Sequence, residues 1–476
     1  MNEASPIPAG ETEPGEPAAP ARKQHMTGDL TQGPILKTLL VFSIPMLISN
    51  VLQTLNGSVN AIWVGRLLGE SALAATANAN IIMFLLISLV FGFGMATTVR
   101  VGQHFGARDI DAARLTFGSG VGFCLILSVV CGLAGWLGAD ALLRLLSTPE
   151  QSRIEALAYL RVIFVTLPLG SLSLMVSMGM RGAGDSKTPL HAMILTVALD
   201  VILNPLLIIG PGPVPSLGIA GSAAATAFAN FAGLVFQLWT IYRKDLPMRL
   251  RGAELGYLIP RGSELKYVTL KGLPMGAQML LVSSAGLAMV HLVNLEGLDA
   301  AAAYGASLQL WNYLQMPAMA IGSAVSAMVA QSLGAHDHGR VGKVTEIGLV
   351  TNLAISLLMA ALIVVFDHPL LALFLGGDSP AMPIARHIQF VCTASFVIMS
   401  VTMILTGTLR AYGAVVVPLV IMAIGLIPGR LGFYALTYPA IGSEALWWAY
   451  PVGSTLTVVL TLAYYRWGKW RAAFDL

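Results

Sequence analysis

An all-α polytopic membrane protein of about twelve spanning helices, folded as two six-helix lobes, is the architecture the sequence predicts. Three observations predict it: a shortage of charge, apolar runs of membrane length along the chain, and a repeat of the first half in the second. Of the 476 residues, 56% are hydrophobic and 11% are charged, and the mean hydropathy is +0.76. Soluble domains carry about 25% charged residues. The deficit means that most of the surface faces lipid or other helices. Net charge is only +3, which gives no basis for nucleic-acid binding.

Residues 1–30, rich in Pro, Glu, Ala and Gly, cannot build a core and are predicted to form a disordered cytoplasmic tail. They lack the basic start and short apolar stretch of a secretory signal. Charges and Gly/Pro breaks then divide the chain into spans at 36–63, 72–99, 115–144, 155–180, 188–210, 218–242, 265–294, 301–331, 345–375, 385–409, 414–438 and 442–466. The first six make an N-lobe (31–242) and the last six a C-lobe (265–470). The basic stretch 243–264 between them reads as a cytoplasmic linker, solvated rather than membrane-bound.

Orientation follows from the basic residues. With both termini in the cytoplasm of a cell inner membrane, all but six of the 27 Lys and Arg residues fall on the cytoplasmic side. The six are Arg66, Arg144, Arg153, Arg161, Arg386 and Arg430. Arg430 lies inside the eleventh span, where it is expected to be paired or capped by carbonyls in a structural role.

The repeat has a constant offset. Gly69–Ala75 matches Gly297–Ala303, and Gln103–Ala107 matches Gln331–Ala335, each 228 residues on. Ile44-Pro45-Met46 matches Leu273-Pro274-Met275, and Arg181 with Gly184 matches Arg410 with Gly413, each 229 residues on. Six helices per half is an even number, so both halves insert the same way. They are expected to be related by a pseudo-two-fold axis along the membrane normal.

Several chemistries are disfavoured. Cys124, Cys131 and Cys392 sit in apolar runs with no ligand spacing, so no metal site is expected. Gly182–Thr188 has Ser where a phosphate loop needs Gly before Lys, and it follows a membrane helix rather than a strand. The eight His residues show no ligand spacing. No nucleophile–base order suggests a hydrolase, so the chain is not expected to be an enzyme.

Polar residues inside the spans are the remaining signal. Asp200 lies about 13 residues into the fifth span, roughly 20 Å at 1.5 Å per residue. A carboxylate near a helix centre costs about 2.5–3.5 kcal/mol on insertion scales, so it must face a polar cavity or be neutralised. Asn204 is one turn further on the same face, and Pro205 cannot donate to the Val201 carbonyl. Asp200 reads either as an ion-coupling carboxylate or as a structural Asp paired within its lobe. Helix 1 carries Asn50, Gln53, Asn56 and Asn60 near one face, with Thr76, Asn78 and Asn80 on helix 2 and Thr226 and Asn230 on helix 6. Such a stripe must point inward, either as glue between helices or as the lining of a wet N-lobe cavity. In the C-lobe, Gln309, Asn312 and Gln315 run beside Tyr304, Trp311 and Tyr313. They read as a substrate-path lining, or the aromatics read as interfacial anchors. Met175, Met178 and Met180 suit an adaptable apolar wall, with packing as the default.

Ile44-Pro45, Gln53, Val64-Gly65, Leu68-Gly69, Ala74-Ala75, Gln103-x-x-Gly106-Ala107, Arg181–Asp185 and Pro189, in this order and echoed in the second half, resemble the multidrug and toxic-compound extrusion (MATE) family from about residue 35 to 466. The resemblance implies a cation-coupled antiporter with two lobes around a central cavity. It implies the DinF-like branch, since Met279–Val282 stands where NorM-like members carry an acidic residue. Two positions depart from that branch. Asn60 replaces an Asp in helix 1, and Asp200 with Asn204 reverses the usual Asn-then-Asp pair of helix 5. The implied activity is export of organic, cationic, amphipathic compounds in exchange for H⁺ or Na⁺, with Asp200, Asn204 and Asn60 as ion-coupling residues. The implied cavity lining is Gln53, Asn56, Thr226, Asn230, Gln309, Asn312 and Gln315. No cofactor is expected beyond the transported ion, and the expected partners are a small organic substrate and membrane lipid around a monomer. The rivals are a lipid-linked oligosaccharide flippase of the same superfamily plan and an uncoupled transporter.

Overall fold

A computed structural model describes residues 28–145, 150–212 and 215–474. The helices are α1 (Ile35–Leu68), α2 (Glu70–Gly106), α3 (Ile110–Leu145), α4 (Glu150–Gly182), α5 (Lys187–Ile209), α6 (Ile219–Arg243), α7 (Gly262–Asn294), α8 (Leu298–Gly334), α9 (His338–Val365), α10 (Asp367–Leu375), α11 (Met382–Ala411), α12 (Val416–Ile424), α13 (Phe433–Ile441) and α14 (Glu444–Trp467). A π-helical turn, Gly425–Gly432, joins α12 to α13 in one continuous span. Among the described residues, twelve helical spans are long and apolar enough to cross a bilayer. The ninth predicted span breaks at Phe366 into α9 and α10, where Arg386 pairs with Asp367 at 2.8 Å.

Helix α1–α6 form one lobe and α7–α14 the other. Large apolar side chains such as Leu133, Ile202, Leu287 and Leu358 remain exposed on the outside, as a lipid-facing surface requires. Within and between lobes, close helix approach depends on small residues, because lipid offers no hydrophobic drive for association. Gly92 of α2 crosses Gly272 and Gly276 of α7 with almost no space for a Cβ. The lobes meet along α2–α7, α2–α8 and α1–α8.

These contacts concentrate at the end that carries the basic residues, and they follow the repeat. Gln103 Nε2 donates to the Ala411 carbonyl at 2.8 Å, and Gln331 Nε2 donates to the Gly182 carbonyl at 3.0 Å. Each glutamine thus reaches into the opposite lobe at the equivalent place. Gly106 lies on the Gln331 backbone and Gly334 on the Gln103 backbone. A cross-lobe ion pair, Arg100 Nε to Glu264 Oε2 at 3.4 Å, lies nearby, and Thr116 donates to the same oxygen at 2.7 Å. Away from that end, Gln53, Gly57 and Ala61 of α1 and Gly305, Gln309 and Asn312 of α8 are exposed.

Two sequence readings change. The predicted tail lies outside the described residues as far as residue 27, but Gly28–Leu30 belong to the fold. Leu30 is buried, its N–H donates to Gln331 Oε1 at 2.9 Å, and Arg340 holds the carbonyls of Leu30, Gln32 and Gly33. Part of the linker 243–264 is packed, while Lys244, Asp245, Arg251, Leu255 and Ile259 are exposed. Leu246, Met248 and Leu250 are buried, and Tyr257 and Leu258 lie on Gly118 and Gly122 of α3. Arg114 pairs with Glu254 at 2.8 Å.

Candidate functional site

α5 starts where Asp185 Oδ1 accepts from the N–H groups of Lys187 and Thr188, each at 3.0 Å. This satisfies two donors that a helix start leaves open. From there the helix carries Asp200 and Asn204 inward, both with no exposed surface. Helix α1 packs against α5 and brings in Asn56 and Asn60, one turn apart. Asn56 Nδ2 donates to Asp200 Oδ2 at 2.7 Å, and Asn60 Nδ2 to the same oxygen at 2.8 Å. Thr226 of α6 donates to Oδ1 at 3.1 Å, and Asn204 reaches that oxygen at 3.5 Å. Asn204 Nδ2 also donates to Asn60 Oδ1 at 3.1 Å.

Every described partner of Asp200 is a neutral donor, and no basic side chain among the described residues pairs with it. Burying an isolated charge is costly, so hydrogen bonds from three amides and a hydroxyl carry the solvation that water would supply. The amide oxygens Asn56 Oδ1 and Asn204 Oδ1 are buried without a partner among the described residues. The site therefore has a carboxylate and spare oxygen acceptors, which suit a proton or a hard monovalent cation.

Beside this cluster is a cavity of about 520 Å³ within the N-lobe. Its polar wall includes Asn50, Gln53, Asn60, Thr76, Asn80, Thr226 and Asn230, and its apolar wall includes Met83, Met178 and two C-lobe residues, Met279 and Met319. Asp200 and Asn204 are not on the wall. Asn60 and Thr226 stand between them and the cavity, since both touch Asp200 and both line the space. Asn56 faces Asp200, and the Asn78 side chain lies outside the described residues. Arg181 is the cation on this wall.

The C-lobe residues separate. Gln309 and Asn312 are exposed on α8, Gln315 is half-buried, and none of the three lines the N-lobe cavity. Tyr304 and Trp311 are neither anchors nor lining. They are buried in the C-lobe core against Phe396, Trp447 and Tyr450, with Trp311 Nε1 donating to Gln389 Oε1 at 3.1 Å. Met175, Met178 and Met180 are buried. Arg430 is not paired or capped as expected. It makes no hydrogen bond or ion pair among the described residues and lies over the Tyr450 ring, 4.1 Å from its centroid. Glu264 escaped sequence reasoning because a Glu just inside a basic linker looks like a solvated helix start.

The family model MatE matches residues 45–206 and 274–433, once in each lobe. The chain belongs to the MatE family. The probable multidrug resistance protein YoeA of Bacillus subtilis is 32% identical over 435 residues, covering 91% of this chain and 94% of that protein. The probable multidrug resistance protein YpnP of the same organism is 30% identical over 445 residues, covering 93% and 98%. Among solved structures, one described as the outward-facing conformation of a multidrug resistance MATE family transporter of the MOP superfamily superposes with a TM-score of 0.84. It is 21% identical and covers 94% of this chain and 98% of that one. The fold of this MatE chain is thus that of known MATE transporters, and the family consists of transporters rather than enzymes. The two family matches coincide with the halves related by the 228–229-residue offset.

Proposed function

We propose that this MatE chain is a secondary active antiporter of the cell inner membrane. It exports organic, cationic, amphipathic compounds in exchange for H⁺ or Na⁺ by alternating access, with both termini cytoplasmic. The observation that carries the reading is Asp200: a carboxylate with no exposed surface and no basic partner among the described residues, held by Asn56, Asn60, Asn204 and Thr226 beside a cavity. An uncompensated acid at membrane depth marks an ion or proton path.

The positive-inside bias makes the closed end, where Gln103 and Gln331 cross, the cytoplasmic end. With the cavity open outward, Asp200 takes up the ion, its charge is neutralised, and the cavity loses attraction for a cationic solute. With the lobes rocked inward, the ion leaves and the restored charge favours loading. Asp200 acts on the solute through Asn60 and Thr226, which touch both the carboxylate and the cavity. Ion uptake that turns these two side chains changes the polar wall the solute meets.

Purified protein in proteoliposomes, loaded with a fluorescent organic cation, tests this under an imposed proton gradient, an imposed Na⁺ gradient, or neither. Efflux that accelerates with one inward ion gradient supports the reading and names the ion. Efflux indifferent to both gradients contradicts antiport and favours the uncoupled transporter.

A further inference from the structure

Arg430 occupies the C-lobe position that corresponds to Asp200. The fifth span and the span α12–α13 begin in register: Arg181, Gly184 and Pro189 align with Arg410, Gly413 and Pro418. Asp200 is eleven residues beyond Pro189, and Arg430 is twelve beyond Pro418. The π-helical turn Gly425–Gly432 absorbs the additional residue, as single-turn π segments do, often at functional sites. The partner corresponds too. Gly218 and Gly442 both precede their helix with positive φ, 56° and 60°. Thr226 and Tyr450 are each the eighth residue after these glycines. Thr226 donates to Asp200, and Tyr450 places its ring under the Arg430 guanidinium. The amides that crowd Asp200 have no counterpart, since the α7 residues aligned with Asn56 and Asn60 are Ala285 and Met289.

The two lobes thus carry opposite charges at equivalent depth. Arg430 lies near the middle of its span, Val416–Ile441. It is half-buried, its Nε is buried without a partner, and no carboxylate pairs with it among the described residues. Guanidinium surface facing lipid at that depth is strongly disfavoured, which favours an aqueous surface for its accessible part. Tyr450 covers one face of the planar group, and a guanidinium held on such a platform can grip an oxyanion through its two terminal nitrogens with two parallel hydrogen bonds. Gln389, joined to Tyr450 through Trp311, has an unpaired buried amide nitrogen in the same cluster.

We infer that Arg430 on its Tyr450 platform is an oxyanion subsite that takes the carboxylate of an amphipathic solute, so that zwitterions bind in preference to simple cations. The inference rests on the reading of the cleft as the path of an organic solute. It adds a second recognition point to the Asp200 side, with the positive end of the solute towards the N-lobe and the negative end on the C-lobe.

The test uses a matched pair of dyes: rhodamine B, a zwitterion with a free carboxylate, and its ethyl ester, a cation. Their binding to the full-length protein in neutral detergent is read by fluorescence polarisation. A charge-assisted hydrogen bond to the carboxylate predicts that wild type binds the acid about tenfold more tightly than the ester. Arg430→Gln is expected to bring the acid-to-ester ratio close to one, and Arg430→Lys to keep a reduced preference. Gel filtration and circular dichroism report folding of both variants. Equal binding of acid and ester by wild type, or a preference that survives Arg430→Gln, overturns the subsite while leaving antiport standing. Loss of the preference on adding phosphatidylglycerol would assign Arg430 to a lipid headgroup and overturn the solute assignment. Gradient-driven efflux of the ester is measured separately, so its failure removes the antiporter reading and not the measured ratio.

Discussion

Gly106→Ala should pry the lobes apart at the basic end without unfolding either of them. An added Cβ would lie 2.6 Å from the carbonyl carbon of Gln331 and 2.8 Å from its Cα, with the carbonyl oxygen closer still. All three are backbone atoms, so no rotamer change relieves the clash. Reaching ordinary contact at 3.4 Å needs about 0.8 Å from the carbonyl carbon alone, and the nearer oxygen requires well over that. Overpacking of this kind costs about 1–3 kcal/mol. Within α2 itself the change is favourable by roughly 0.5–1 kcal/mol, because Ala orders more cheaply than Gly in a helix. The cost therefore falls on the seam, and shifts the balance between closed and open seam by about 5–150-fold. Spin labels at Lys187→Cys and Lys343→Cys, exposed residues of opposite lobes, read this by pulsed electron paramagnetic resonance. Unmodified Gly106 is expected to give one short distance, and Gly106→Ala to add a longer population. An unchanged distance distribution in a folded Gly106→Ala protein would refute the seam as the closing contact. The reciprocal Gly334→Ala, which meets the Gln103 backbone and the Ala107 nitrogen at 2.9 Å, is expected to act in the same direction.

Asn60→Asp places a second carboxylate where an amide now donates to Asp200 at 2.8 Å; two like charges at that distance cannot both persist, so the pair should take up one more cation and steepen the ion dependence of efflux, and an unchanged ion dependence would show that coupling does not use this position. Asp185→Ala removes the acceptor for the Lys187 and Thr188 N–H groups and is expected to lower stability by about 1 kcal/mol, seen as a lower melting temperature with ion dependence unaltered; a changed ion dependence would count against a purely structural cap.

Much of the fold was legible because membrane spans announce themselves by length and apolarity, and because a constant offset between equivalent motifs is visible without coordinates. Gln103 and Gln331 were found this way, although only packing showed that each reaches across to the other lobe. Helical spacing put Asn56, Asn60, Thr226 and Asp200 on inward faces. It could not say that Asn56 serves Asp200, that Gln53 serves the cavity, or that Asn60 serves both, because periodicity gives a face and not a partner. Tyr304 and Trp311 misled for the same reason: an aromatic near a span end looks the same in sequence whether it anchors at the interface or fills a core. The contact of Tyr257 and Leu258 with Gly118 and Gly122 of α3 was not legible, because no property of the linker residues reveals where it touches. The correspondence of Arg430 with Asp200 was hidden by the π-helical turn, whose single additional residue breaks the alignment.

Uphill transport measures most directly whether Asp200 is the coupling site. Wild-type and Asp200→Asn proteins are reconstituted at equal density, and export of a fluorescent cation against its own gradient is followed under the ion gradient that drives wild type. Coupling through Asp200 predicts uphill export by wild type and none by Asp200→Asn, with both proteins eluting as folded species. Uphill export by Asp200→Asn at the wild-type rate would contradict it and reduce Asp200 to a structural hub of the N-lobe.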